Sequence, residues 1–123
     1  TRAVQETYAV NLTLTEFVPG TATLTQVVNV AGQGFAEINL IMEGNQSFDY
    51  SWLTRENTPS KFNIHSHENG QTTYHVEGTY AKSNGTFSAL KRQVYSLMWE
   101  NTGVAPVTLD VNVSGQFRVH SHS

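Results

Sequence analysis

The strongest constraint on this chain is a strict two-residue alternation. From Val107 to Arg118, Val107, Leu109, Val111, Val113 and Phe117 fall on one side, and Thr108, Asp110, Asn112, Ser114 and Gln116 on the other. Successive side chains of an extended strand point to opposite faces, so such a stretch is a strand with one face on a core. Gln46 to Trp52 repeats the pattern, with Phe48, Tyr50 and Trp52 set against Ser47, Asp49 and Ser51. Gln93 to Asn101 carries Tyr95, Leu97 and Trp99 on one face, while Val94 and Met98 share the other with Ser96. A strand apolar on both faces is expected at the centre of a sheet.

Turn chemistry punctuates these runs at spacings near ten residues, by the rhythm expected of all-β domains. The turns read as Pro19-Gly20, Gly32 to Gly34, Glu43 to Asn45, Asn57 to Ser60, Asn69-Gly70, Asn84-Gly85 and Asn101 to Gly103. No segment shows helical i, i+3, i+4, i+7 apolar spacing. The expected fold is therefore all-β, an antiparallel two-sheet sandwich or jelly roll with minimal helix. At 123 residues there is room for one core.

Composition narrows the partners. Charged residues make up 14% of the chain, and 15 Thr, 10 Ser and 10 Asn take their place. Seven Lys and Arg against ten Asp and Glu leave a net charge of −3 with no basic run, which argues against a nucleic-acid partner. No apolar run exceeds three residues, so a transmembrane segment is not expected. No secretory signal is legible, as in a mature secreted chain. With no cysteine, disulfides and thiolate metal sites are excluded. Glycosylation sequons begin at Asn11, Asn45, Asn84 and Asn112, and together with the low charge they point to an extracellular, cell-surface or periplasmic location.

Residues 1–20 read as a separate extension and 21–123 as the sandwich proper. Val4, Tyr8, Val10, Leu12 and Leu14 alternate with Gln5, Thr7, Asn11, Thr13 and Thr15. A strand of this length spans roughly 35 Å. It is either an ordinary edge strand, turned through Pro19-Gly20 onto Ala22 to Val30, or a strand donated to a neighbouring subunit.

The histidines fall into two His-X-His pairs, His65 with His67 and His120 with His122, and His75 lies nearby. Residues i and i+2 of a strand share a face. If Phe62 and Ile64 point inward, Asn63, His65 and His67 point out. In Thr72 to Tyr80 the alternation puts Tyr74, Val76 and Tyr80 inward and His75, Glu77 and Thr79 outward. A three-residue hairpin loop, 69–71, then sets His65 opposite His75, and gathers His65, His67 and His75 on one outer surface. Such a trio has the spacing to hold a copper or zinc ion. The competing reading is three surface histidines, and for His120 and His122 a solvated tail. Hydrolytic zinc chemistry would need a base, for which Glu68 or Glu77 would serve, and a dry cleft. No nucleophile elbow, phosphate loop or dinucleotide fingerprint is present.

Five segments in order carry a family likeness: Tyr50-Ser51-Trp52, Asn63-Ile64-His65, Gly85-Thr86-Phe87, Trp99-Glu100-Asn101, and Pro106-Val107-Thr108 leading to Gly115. From Phe35 to Phe117 the chain resembles the Golgi-dynamics (GOLD-like) β-sandwich, and more closely its prokaryotic extracytoplasmic relatives. The resemblance implies a jelly roll that mediates interactions and has no catalytic residues. Those relatives often carry a His-Gly before the Tyr/Trp strand, where this chain has Gln93-Val94. The expected function is a non-catalytic cell-surface module acting by protein association, self-assembling as a filament subunit through its first strand. The alternative is an extracytoplasmic copper- or zinc-binding protein.

Overall fold

In the computed structural model, residues 6–15 are described as backbone and residues 21–120 in full. Ten strands follow one another: β1 (Glu6–Thr15), β2 (Ala22–Val30), β3 (Phe35–Met42), β4 (Ser47–Thr54), β5 (Ser60–Glu68), β6 (Gln71–Tyr80), β7 (Lys82–Ser88), β8 (Gln93–Glu100), β9 (Val107–Gly115) and β10 (Arg118–Val119). They form two antiparallel sheets in the orders β1-β2-β9-β4-β7 and β10-β3-β8-β5-β6. Among the described residues there is no helix, as expected. From β2 to β9 every connection crosses between the sheets except the β5–β6 hairpin, which is jelly-roll connectivity.

The alternating segments lie where their patterns require. β4 and β9 are adjacent in one sheet, with Phe48, Tyr50, Trp52, Val107, Leu109, Val111 and Val113 all turned into the core. β8, apolar on both faces, is the central strand of the other sheet, between β3 and β5. The sheets meet through rings: Phe62 lies 5.4 Å from Tyr50, 5.2 Å from Trp52 and 5.5 Å from Trp99. Aromatic pairs at such spacing add about 0.5–1.5 kcal/mol each beyond the burial of their area.

One loop shows how a buried polar side chain shapes the connections. Asn101, 4% exposed, donates through Nδ2 to the carbonyls of Ala105 at 2.7 Å and Val30 at 3.3 Å, and its Oδ1 accepts from the Gly103 amide at 3.0 Å. The amide group thus satisfies the β8–β9 turn and ties it to the end of β2.

β1 pairs antiparallel with β2 of its own chain, from Glu6 opposite Val30 to Thr15 opposite Thr23, with a register shift between Ala9 and Thr13. This is the edge-strand arrangement of the two considered. The Pro19-Gly20 turn lies outside the described residues.

Phe62 is 1% exposed and touches both sheets. Phe62→Ala should cost about 3–5 kcal/mol, by lost transfer energy and the cavity left behind. Urea unfolding, followed by tryptophan fluorescence, would measure it.

Candidate functional site

The outer face of the β10-β3-β8-β5-β6 sheet takes its character from the β5–β6 hairpin. Asn69 and Gly70 have φ of 53° and 77°, the left-handed pair of a two-residue type I′ turn. The turn sets Glu68 opposite Gln71, His67 opposite Thr72, Ser66 opposite Thr73 and His65 opposite Tyr74. Farther along, Ile64 pairs with Val76 and Asn63 with Glu77, so the register has slipped by one residue. His75 is the extra residue of a β-bulge.

The slip has a physical reason. Carried through unchanged, the turn's register would put Val76 outside beside Asn63. Packing of the half-buried Val76 against the core, with Glu77 and Thr79 outside, demands the other parity. One bulged residue satisfies both.

This corrects the sequence expectation. The loop has two residues rather than three, Tyr74 points out instead of in, and His75 turns away from His65 and His67. The expected pairing of Asn63 with Glu77 is present, because it lies beyond the bulge.

His75 is half-buried between the sheets. Its ring lies 5.4 Å from Phe87 and 5.5 Å from Tyr95, and its Nε2 is 2.8 Å from Ser66 Oγ. Burial, and after it the charge of His65, hold the His75 pKa below the ordinary 6.5.

On the outer face, His65 is 4% exposed. Its Nδ1 is 2.6 Å from Asn63 Oδ1 and its Nε2 3.4 Å from Glu37 Oε2 on β3. Beside it Ser96 Oγ donates to Asn39 Oδ1, and both residues are buried. A row Asn39, Ser96, His65, Tyr74 therefore runs across four strands. The His67 ring stands 4.9 Å from that of His65, at 77°, and its Nδ1 lies 2.9 Å from Thr72 Oγ1. Tyr74, 53% exposed, is 5.8 Å from His65. Next to this patch a groove of about 430 Å³ is lined by Lys61, Asn63, Tyr74, Glu77, Thr79 and Glu100.

His65 and His67 thus stay neighbours, and His75 does not join them. Among the described residues, no three His, Cys, Asp or Glu side chains are placed to hold a metal ion. His120 is exposed beyond β10, its amide donating to the Asn39 carbonyl at 2.9 Å; His122 lies outside the described residues. Sequence reasoning missed Glu37, Asn39 and Tyr74. Only the Asn69-Gly70 dipeptide carried a signal for Tyr74, through the turn it dictates.

Three of the sequon asparagines are exposed. Asn45 sits in the β3–β4 turn with φ of 69°. Asn84 and Asn112 flank Ser51 in one row on the outer face of the other sheet, where Asn112 Oδ1 accepts from Thr25 Oγ1 at 2.9 Å. Asn11 falls on the β1 backbone, within the register shift.

No protein-family model matches the sequence, and no curated protein matches it. Among solved structures the chain is similar to PliG of Aeromonas hydrophila, a periplasmic lysozyme inhibitor of g-type lysozyme. The TM-score is 0.60 and the identity 14%, over 83% of this chain and 93% of that one. It is also similar to the Yersinia pseudotuberculosis-derived mitogen, with a TM-score of 0.53 and 10% identity over 82% and 88% of the two chains. At such identities the likeness establishes the fold. Neither structure is named for the Golgi-dynamics type.

The depressed His75 pKa has a sign that can be tested. Between the folded and unfolded pKa values the unfolded chain binds the extra proton, so the stabilising contribution is full above about 6.5 and is lost as pH falls below it. Denaturation midpoints should drop between pH 7 and pH 5, and His75→Gln should flatten that dependence.

Proposed function

We infer that this chain is a non-catalytic binding module working outside the cytoplasm, and that β1 links copies of it together. The observation that carries the reading is the place of β1. It is a ten-residue strand at the outer margin of its sheet, hydrogen-bonded among the described residues to β2. A strand held along one side offers the β2 of a neighbouring copy the same register that it offers its own. Pairing within the chain closes a monomer. Pairing between chains propagates a filament.

Other features support association. Low charge density weakens repulsion between copies. Of the two similar structures described above, one is named as an inhibitor of a protein and as periplasmic, the other as a mitogen, and neither name describes catalysis. The resemblance to the Golgi-dynamics sandwich points the same way, and the four sequons agree with an extracytoplasmic location in which they would be used.

Deleting residues 1–16 tests the assignment. By size exclusion with light scattering, the full chain should show species larger than one subunit that grow with concentration. The deletion variant should lose them, and should capture an added peptide of residues 1–16 on its vacated β2 edge. An unchanged mass distribution after deletion overturns the reading.

A further inference from the structure

We propose that the groove over the start of β5 and the end of β6 is a binding site for a neutral saccharide chain, whether or not β1 links copies together. Three observations converge on it. The first is the bulge at His75. By slipping the register it turns Tyr74 to the outside, where more than half of its surface is exposed, and bulges recur where a side chain is re-aimed for use. The ring is backed by His65, itself buried and bonded to Asn63, so the platform is firm.

The second is the chemistry of the groove. Lys61 stands opposite Glu100 on one side and Thr79 on the other, and Glu77 stands opposite Asn63. Donors and acceptors of both signs alternate over neighbouring strands, so the groove shows no field of a single sign that would select an ion. Each hydroxyl of a sugar both donates and accepts, and a carboxylate or amide can bridge two adjacent hydroxyls. The exposed Tyr74 ring offers an apolar surface to the C–H face of a sugar ring, with its own hydroxyl at the rim.

The third is size. About 430 Å³ lies within the range of roughly 300–1,000 Å³ typical of sites for small ligands, and the groove is open to solvent rather than enclosed, so a chain longer than the groove can extend beyond it.

Isothermal titration of the full chain against soluble cellohexaose, maltohexaose, xylohexaose and chitohexaose tests the site. At least one should bind in the micromolar to millimolar range. Tyr74→Ala should weaken that binding at least tenfold, and Glu77→Ala should weaken it too. Lys82→Ala, on the other sheet, should leave it unchanged, with circular dichroism showing all variants folded. Absence of heat with all four sugars, binding undiminished by Tyr74→Ala and Glu77→Ala, or tighter binding of a charged control peptide such as hexalysine would each overturn the proposal.

Discussion

Phe62 packs among Tyr50, Trp52 and Trp99, and through these rings β5 is locked both to β8 beside it and to β4 across the core. With Phe62 and Ile64 held inward, Asn63 and His65 have no choice but the outer face. The Asn69-Gly70 turn imposes one parity on the hairpin and the half-buried Val76, packed against the core, the other. The bulge at His75 is where the two demands meet. The exposed tyrosine, the histidine wedged between the sheets and the neighbouring groove are all downstream of that conflict.

What the sequence disclosed follows the same logic. β4 and β9 alternate cleanly over seven or more residues and β8 is apolar on both faces, so the core faces of the first two and the central place of the third follow from pattern alone. Each asks one question of the pleat and gets one answer. β6 is different, because Tyr74, His75, Val76 and Glu77 include an aromatic and an imidazole, both of which tolerate either face. A uniform register had to be assumed to place them. A bulge breaks that assumption without changing composition, and the signal for it is shared between a turn and an apolar residue six positions away. The candidate site was therefore half legible: His65 and His67 fell on the expected surface, while Tyr74 and His75 exchanged places. Glu37 and Asn39 come from β3, a strand distant in sequence, and no local pattern joins them to His65.

The two similar structures have the same fold at 10 to 14% identity, so one fold is built here from largely different side chains. That path places the core between the sheets and leaves two broad outer faces free to vary. Here one of them carries buried polar side chains in its middle row. Burying Asn39, Ser96 and His65 is tolerable only because they are bonded to one another and to Asn63, or face Glu37. Such a row holds its neighbours in place more firmly than a solvated surface would.

The opposite face is rich in Thr, Ser and Asn, with Asn84 and Asn112 in one row about 10 Å apart, two strand spacings. Sugars attached there would stand over β4, on the side of the molecule away from Tyr74. One broad side would be cloaked and the other left bare, giving the subunit a top and a bottom. Neighbours packed flank to flank could then be told apart by which way up they lie.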